Sequence, residues 1–385
     1  MFPPRLRVFA VDSMKIHQLL PCLRHGDAIG NHTLEIQRIL RQWGHDSRIF
    51  ADDIHDDMRS LAKSYTKLKG RTLRDAVLIY HFSLGSPVSD FVKSLPNPKI
   101  LIYHNITPAH FLRGYDEYIR QVLDAGREEL KEFVNHCDLA LGDSEYNQLE
   151  LEELGFHPTG VLPIILNFEK YTASPAAHVV NRYKNGWKNI IFVGRIVPNK
   201  RQEDLIHAFY VYKRYVNPNS RLFLIGAGGI ERYDMMLEDF VQRLGVKDVY
   251  LTGKVSDDEL AAYYHIADLM LSMSEHEGFS VPLVEAMHLG VPILAYHSTS
   301  IPYTLGNAGV LINAKQYDAI AEMMDMMLEN QEFRSGILDA QRQRLAFFAR
   351  SRLEQVLKSY LDPFLTAPKH QTPNTEHKHQ TQLCE

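Results

Sequence analysis

The sequence predicts an α/β protein built from two doubly wound, Rossmann-like domains. At 385 residues the chain is long enough for two domains of ordinary size, each with its own core. Near-continuous apolar runs of strand length recur along the chain, as in parallel sheets that are buried on both faces. Several of these runs lead through a short glycine-containing loop into a helical segment and then into another apolar run, which is the βαβ order.

The composition limits the functional classes. A hydrophobic fraction of 45% and a charged fraction of 23% are typical of soluble globular proteins. The net charge of −5 argues against a nucleic-acid partner. The three cysteines are odd in number and widely spaced, which fits a reducing cytoplasm rather than a disulfide framework. The sequence has neither a signal-peptide h-region nor an apolar run of about twenty residues, so we expect a cytoplasmic protein and leave peripheral membrane contact open.

In the first half of the chain, LRVFAVD (Leu6 to Asp12) is predicted to be the first strand. The loop HGDAIGN follows, and an amphipathic helix is expected from Thr33 to Trp43. Two later apolar strands end in His81 and His104 at their carboxyl edges. The segment from Pro108 to Val134 is best explained as a solvated amphipathic helix, although it could also face an interdomain cleft or a membrane.

A polar stretch from Asn167 to Trp187 is predicted to be the linker between the domains. The second domain then opens with the strand NIIFVGR, which ends at Gly194 and Arg195, and Lys200 follows before the next helix. Two cations at a strand end and near a helix N-terminus are well placed to neutralise a diphosphate, which arginine binds bidentately.

The most informative stretch is SEHEGFSVPLVEAM, Ser274 to Met287, which lies between two apolar strands. Ser280 followed by Pro282 indicates a helix start, and Gly290 indicates its end. The loop before this helix lies at the carboxyl end of a strand, where anionic ligands bind in doubly wound domains. A single glutamate there could simply stabilise the first turn of the helix. Two glutamates eight apart, Glu277 and Glu285, favour a ligand site.

This segment resembles the E-x7-E signature of retaining glycosyltransferases of family 4, which have the two-domain GT-B architecture. The resemblance implies that Glu277 lies against the donor sugar and that Glu285 holds the ribose of the nucleotide. It further implies backbone contacts from Gly278, Phe279 and Ser280 to the sugar and diphosphate. It also implies a central cleft between the domains and a C-terminal helix that crosses back to the first domain.

Other motifs extend the resemblance. The sequence from Gly194 to Lys200 is similar to the family's G-R-x-x-x-x-K element, in which Arg195 and Lys200 would stabilise the leaving diphosphate. The turn from Gly253 to Val255 would face the nucleobase. In the first domain, His104 would lie near the reaction centre and His81 is a candidate for the acceptor cleft. Further donor-phosphate contacts are expected from the loop residues Gly30 and Asn31, although many family members carry two adjacent glycines there.

The resulting domain prediction is an acceptor-binding domain at residues 1–167, a nucleotide-sugar-binding domain at 168–347, a crossover helix at 348–367 and a disordered tail at 368–385. The tail histidines are expected to be mobile rather than metal ligands. The chain has no DxD carboxylate pair, so we expect neither a metal nor a cofactor, and the cations would carry the electrostatic stabilisation.

The predicted function is retaining transfer of a hexose from a UDP- or GDP-sugar, such as UDP-glucose or GDP-mannose. The expected acceptor is a glycan or lipid-linked glycan of bacterial surface polysaccharide synthesis, namely O-antigen, capsule or exopolysaccharide. A disaccharide synthase with a soluble acceptor, of trehalose or sucrose type, is the alternative. Epimerase or phosphorylase chemistry and a non-catalytic regulatory subunit that binds nucleotide sugars are further alternatives. Because His104, Arg195, Lys200, Glu277 and Glu285 are all present, the sequence favours an active enzyme.

Overall fold

The structure of the chain is a computed structural model that describes residues 13–24, 26–172 and 174–366. The predicted strand at Leu6 to Asp12 and the predicted tail at 368–385 lie outside these residues. The described part contains two parallel sheets, each flanked by helices. The predicted α/β fold class with two doubly wound domains is therefore confirmed.

The first sheet has seven strands, which are β1 (Lys15–Leu23), β2 (Ile49–Ile54), β3 (Ala62–Ser64), β4 (Ala76–Phe82), β5 (Lys99–Tyr103), β6 (Leu139–Gly142) and β7 (Thr159–Val161). Their spatial order is β3-β2-β1-β4-β5-β6-β7, and the paired strands are parallel. The direction of winding reverses between β1 and β4. A crevice for ligands is expected at the carboxyl ends of these two strands.

The second sheet has six strands, which are β8 (Lys188–Val193), β9 (Ser220–Ile225), β10 (Val249–Gly253), β11 (Leu269–Ser272), β12 (Ile293–Tyr296) and β13 (Val310–Ile312). Their spatial order is β10-β9-β8-β11-β12-β13, again with parallel pairing. Here the winding reverses between β8 and β11. The loops that follow these two strands therefore meet at one edge of the sheet.

The helices cover both sheets. They are α1 (Ala28–Gln42), α2 (Pro87–Ser94), α3 (Glu117–Glu132), α4 (Glu145–Glu153), α5 (Ala177–Tyr183), α6 (Gln202–Tyr215), α7 (Glu231–Leu244), α8 (Asp257–Ile266), α9 (Val281–Leu289), α10 (Ile301–Leu305), α11 (Tyr317–Glu329), α12 (Gln331–Leu345) and α13 (Arg350–Thr366). Short 3-10 turns connect several of them.

Strand β1 was not predicted from the sequence. It pairs with β2 on one side and β4 on the other, and its residues 16–20 are buried. However, His17 and Gln18 interrupt its apolar run, and Pro21 lies near its end. These residues hide the strand because a buried central strand normally reads as continuously apolar. The helix after β1 also begins at Ala28, five residues earlier than the predicted Thr33.

The predicted linker is partly wrong. Residues Ala177–Tyr183 form α5, and Val179 and Tyr183 are buried in the same hydrophobic cluster as Phe223 of β9. The Ala176 N–H donates to the Asp258 carbonyl at 3.0 Å, which ties the start of α5 to α8. Polar composition therefore obscured a helix that belongs to the second domain.

The segment from Pro108 to Val134 is not a solvated helix throughout. A 3-10 turn at Ala109–Leu112 precedes α3, and Leu112 is buried in the hydrophobic cluster of the second domain. The Tyr115 and Tyr233 rings meet edge to face with centroids 5.3 Å apart, and the Arg232 side chain donates to the Gly114 carbonyl at 3.0 Å. This segment of the first domain therefore packs against the second domain.

Helix α13 packs against the first domain after the chain has completed the second. Its Leu353, Leu357 and Leu361 are buried in a cluster with residues of β1, β4 and α1. The Val161 N–H donates to the Tyr360 hydroxyl at 3.1 Å, which fixes the helix over the last strand of the first sheet. Among the described residues, no helix is long and apolar enough to cross a membrane.

Candidate active site

The loop between β11 and α9 is held in one conformation by its neighbours. The Glu277 N–H donates to the Thr299 hydroxyl at 2.8 Å, and this hydroxyl lies 3.0 Å from the Glu277 carbonyl. Ser280, which caps α9, has a left-handed backbone with φ of 71°. Left-handed serine is uncommon and costs conformational energy, so the turn is held by its surroundings. The loop therefore presents Glu277 and the start of α9 at the reversal point of the second sheet.

Lys200 and Glu277 form an ion pair, with Lys200 on the loop after β8 and Glu277 on the loop after β11. Backbone contacts join the same two loops. The Glu275 N–H donates to the Asn199 carbonyl at 2.9 Å, and the Asn199 amide donates to the His276 carbonyl at 3.0 Å. Two predicted site residues, 77 positions apart in the chain, are thus brought together.

Arg195 lies on the same β8 loop but is exposed. Its carbonyl accepts from the Gln202 side chain at 3.0 Å, which fixes the backbone. Within the described residues its guanidinium has no hydrogen-bond or ionic partner, unlike Lys200. The guanidinium runs beside Gly229, since its Nη2 lies 3.6 Å from where a Cβ on that glycine would be. Of the two predicted cations, Lys200 is therefore already in an ion pair, whereas the guanidinium of Arg195 is available to a ligand at the same edge of the sheet.

Three glycine turns lie side by side at the ends of β8, β9 and β10, and two of them, at Gly194 and Gly253, were predicted from the sequence. Gly194 has φ of 151°, Gly226 has φ of 149° and Gly253 has φ of 69°, all in the range that favours glycine. A Cβ on Gly226 would lie 1.9 Å from the Gly194 carbonyl oxygen, and the Gly226 N–H donates to the Gly253 carbonyl at 3.1 Å. Val255, two residues after Gly253, is partly buried. Close backbone approach explains the glycines without a ligand.

Glu285 is buried in α9, 4% exposed, and it accepts from the Tyr264 hydroxyl at 3.1 Å. Burial and the nearby Glu285 carboxylate raise the pKa of both Tyr264 and Tyr171. Both tyrosines therefore keep their hydroxyl protons and can serve this carboxylate as donors. Its predicted contact with a ribose stays a prediction.

Gly278 and Phe279 can contact a ligand only through their backbones. The Phe279 ring is buried and meets Phe348 edge to face at 5.7 Å. The Gly278 carbonyl accepts from the Ser144 hydroxyl at 2.6 Å, which joins the two domains. A Cβ on Gly278 would lie 2.8 Å from the His104 carbonyl oxygen. The first domain therefore approaches the E-x7-E loop at backbone distance.

Gly30 and Asn31 lie in the first turns of α1 rather than in a loop, so the sequence misplaced them. The Gly30 N–H is engaged by the Asp27 carboxylate at 3.1 Å, and the Asn31 N–H donates to the Asp27 carbonyl at 2.9 Å. A Cβ on Gly30 would lie 2.9 Å from the Arg24 carbonyl oxygen. The glycine is thus required where α1 packs closely on the end of β1.

His104 is held inside the first domain. Its Nδ1 lies 3.2 Å from a carboxylate oxygen of Asp143, and its Nε2 lies 3.0 Å from Nδ1 of His81. The His104 side chain is 1% exposed and His81 is fully buried. His81 therefore does not face the acceptor cleft as predicted. The His104 carbonyl oxygen, in contrast, lies beside Gly278 of the second domain.

Some residues that contact and support the predicted site residues were not predicted from the sequence. Lys315 contacts Asp204 and Glu275 at 2.6 Å each, and the Tyr317 hydroxyl donates to Asp204 at 2.7 Å. This group braces the Glu275 loop. His32 and Asp143 pack around His104 without any local motif. Their separations along the chain give no periodic signal, so only tertiary structure could reveal them.

Comparison with known proteins agrees with this geometry. Residues 175–344 match the family model for glycosyl transferases group 1. The chain is 26% identical over 215 residues to O-antigen chain mannosyltransferase B of Escherichia coli, covering 54% of this chain and 56% of that protein. It is also 26% identical over 223 residues to a GDP-mannose-dependent alpha-(1-6)-phosphatidylinositol monomannoside mannosyltransferase of Mycobacterium tuberculosis, covering 54% and 57%. The matches thus span little more than half of these relatives.

Among solved structures, sucrose-phosphate synthase from Thermosynechococcus elongatus superposes with a TM-score of 0.71 at 16% identity, covering 92% of this chain and all of that one. At this identity the likeness concerns the fold, and it includes both domains. The family match covers the second domain, where Lys200 and Glu277 meet between β8 and β11. The second domain of the chain thus matches the glycosyl transferases of group 1.

Proposed function

We propose that the chain transfers mannose from GDP-mannose to a hydroxyl group of a glycan or lipid-linked glycan, in the synthesis of a bacterial surface polysaccharide. The observation that carries the proposal is the meeting of Lys200 and Glu277 beside the start of α9, in the domain that matches the family model. The two relatives described above, both named as mannosyltransferases, support the choice of donor.

The donor diphosphate would lie at the carboxyl ends of β8 and β11. Its developing negative charge would be stabilised by the available guanidinium of Arg195, by Lys200 and by the N-terminus of α9. Arginine can bind a phosphate bidentately, and lysine acts as a point charge. Glu277, now paired with Lys200, would turn to the sugar when phosphate oxygens become the partner of the lysine.

We propose that the transfer retains anomeric configuration. The bond between the anomeric carbon and the leaving phosphate oxygen breaks, and the acceptor oxygen bonds to the same face of that carbon. The acceptor proton passes to the leaving phosphate. The His104 carbonyl, beside Gly278, would accept a hydrogen bond from a sugar hydroxyl. The product anomer, identified by NMR, decides this point, and an inverted product would refute it.

We also propose that the diphosphate needs no divalent cation, since the cations described above can take that role. Activity is to be measured with EDTA and then with added magnesium. Activity that is lost in EDTA and restored by magnesium would contradict this part of the proposal. Activity that is restored by zinc but not by magnesium would instead indicate a metal site away from the diphosphate.

The decisive experiment for the donor is a thermal-shift screen of the purified chain against GDP, UDP, ADP and dTDP, followed by turnover assays with the matching sugar nucleotides. A nucleotide at one hundred times its dissociation constant stabilises the native state by roughly 2.7 kcal/mol, which raises the melting temperature by a few degrees. We expect a selective shift with GDP and turnover of GDP-mannose. A selective shift with UDP would exclude mannose transfer from GDP-mannose, and no shift with any nucleotide would argue for a non-catalytic role.

A further inference from the structure

Three histidines of the first domain converge in its interior. His32 lies on α1, His81 on β4 and His104 directly after β5, and all three are buried. One ring nitrogen from each lies within 4.8 Å of the other two. The ring of His32 stands nearly perpendicular to both others, with centroids 5.9 Å from His81 and 5.7 Å from His104. The three imidazoles thus bring one nitrogen each into the same small region.

The neighbours of His81 determine which of its nitrogens carries the proton. The Gln18 amide nitrogen donates to the Thr33 carbonyl at 2.9 Å, so the Gln18 amide oxygen is the atom that faces His81. This oxygen lies 2.9 Å from His81 Nε2 and can only accept. His81 therefore carries its proton on Nε2, and the lone pair of its Nδ1 points to His104.

His104 is oriented in the same way from the opposite side. Its Nδ1 lies 3.2 Å from the Asp143 carboxylate, which accepts the Nδ1 proton. The Asn147 amide donates to the other oxygen of that carboxylate and holds it in place. His104 therefore presents the lone pair of Nε2 to the lone pair of His81 Nδ1, at 3.0 Å. Two facing lone pairs repel each other unless a cation lies between them.

His32 strengthens the argument because it is fully buried and, among the described residues, neither of its ring nitrogens has a hydrogen-bond partner. A buried polar group without a partner costs about 1–3 kcal/mol. If ring packing were the only role of the His32 side chain, phenylalanine would fill that role equally well. A ligand that all three imidazoles can reach would satisfy His32 together with the facing lone pairs.

We propose that His32, His81 and His104 bind a divalent transition-metal cation, with Zn²⁺ the best fit. Neutral imidazoles suit zinc, copper and nickel rather than magnesium or calcium. The contacts to Gln18 and to Asp143 correspond to the outer hydrogen bonds that usually orient metal-binding histidines. Zinc binds imidazole nitrogen at about 2.0–2.1 Å, so small side-chain movements would bring the three nitrogens into range.

The cation would join α1 to the ends of β4 and β5, at the reversal point of the first sheet. It would fix the backbone of His104, whose carbonyl lies beside the Gly278 position of the second domain. Its role would be structural and separate from the diphosphate site, which is formed by Arg195 and Lys200. The metal proposal therefore does not depend on the proposed sugar transfer.

The test measures metal content and spectra of the untagged full-length chain. To remove competing ligands, His370, His377 and His379 are all replaced by alanine in every sample. After chelator treatment, the protein is loaded with Zn²⁺, desalted and analysed by ICP-MS, and a parallel sample is loaded with Co²⁺ for visible absorption. We expect about one metal per chain. His32→Phe, which keeps the ring packing, should lower the metal content at least tenfold and abolish the cobalt bands.

His207→Phe is the matched control, because His207 is stacked on Tyr317 at 4.0 Å in the second domain, away from the cluster. It should bind metal like the parent. Folding of each variant is checked by circular dichroism. If His32→Phe failed to fold, Gln18→Glu would test the outer shell, with a change in metal affinity of at least tenfold expected. A parent that takes up no more metal than His32→Phe overturns the proposal, and so does equal metal affinity of the parent and Gln18→Glu in that second test; the pair would then share a proton.

Discussion

The Lys200 ammonium lies against the Glu277 carboxylate, and both side chains are largely withdrawn from solvent, with exposures of 18% and 10%. A pair at this burial is costly to break, because the remaining charge keeps little water and no partner. A donor diphosphate would offer Lys200 a second anionic partner, so the pair can be exchanged rather than lost. The same contact thus affects both the stability of the site and its chemistry.

Lys200→Met should lower kcat by about a hundredfold or more, because it removes a cation from the departing diphosphate. It should also destabilise the fold by leaving Glu277 unpaired. The double variant Lys200→Met with Glu277→Gln should recover most of the lost stability but none of the turnover. Urea unfolding and steady-state kinetics measure the two effects separately.

Lys188→Met is the control for this experiment, since Lys188 pairs with the half-exposed Glu329 at 2.9 Å in the same domain. Surface pairs of this kind contribute about 0–1 kcal/mol, so turnover should be unchanged. If Lys200→Met kept near-full turnover while remaining folded, Lys200 would have no part in the reaction.

Gly278→Ala should separate the domains at the E-x7-E loop. The added Cβ would lie 2.8 Å from both the Asn105 Cβ and the His104 carbonyl oxygen, and both belong to the first domain. Relief requires the domains to move apart, at a cost of about 1–3 kcal/mol for overpacking. We expect kcat/KM to fall at least tenfold and the radius of gyration measured by X-ray scattering to rise.

Gly336→Ala supplies the comparison, because Gly336 lies within α12 and a Cβ there would meet no atom within 4 Å. Alanine favours helix by about 1 kcal/mol over glycine, so this variant should be as stable as the parent or more so. Unchanged kinetics and scattering for Gly278→Ala would mean that the contact between the domains has no role in the reaction.

Features that depend on a short stretch of sequence could be predicted, whereas features that depend on tertiary contacts could not. Apolar runs identified β4, β5, β8, β11 and β12 because a buried parallel strand carries its own signal. Strand β1 was missed because His17 and Gln18, both buried, interrupt its run. The motif in the second domain indicated Lys200 and Glu277, but their contact depends on the strand order. The environment of His104 could not be predicted, since Gln18, His32 and Asp143 all lie far from His104 in the chain.

Tyr264→Phe should show how Glu285 is held. The variant removes a hydroxyl that donates to the Glu285 carboxylate at 3.1 Å in a buried site. Loss of one such bond to a charged group costs about 1.5–3 kcal/mol, which calorimetry would register as a lower melting temperature. If Glu285 binds the ribose, Glu285→Gln should weaken nucleotide binding more than Tyr264→Phe does. Equal nucleotide affinity in Glu285→Gln and the parent would refute that contact.

His276 is a buried group whose charge state should affect stability. It lies between Glu275 and Glu277, it is 4% exposed, and its Nε2 has no hydrogen-bond partner among the described residues. Burial, together with Lys200, Arg127 and His110, lowers the pKa of His276 from 6.5 to about 3. The folded protein thus keeps this imidazole neutral at pH values where an unfolded chain protonates it.

Because the pKa is lowered in the folded state, the unfolded state binds more protons below pH 6.5, and stability falls as the pH decreases from about 6.5 towards 3. For this group alone the loss between pH 7.5 and pH 5.5 is about 1.4 kcal/mol. His276→Gln removes the titration, so the difference in unfolding free energy between parent and variant should shrink or reverse by that amount over this range. Urea titrations at the two pH values measure it. A difference that stays constant would mean that His276 is protonated equally in the folded and unfolded states.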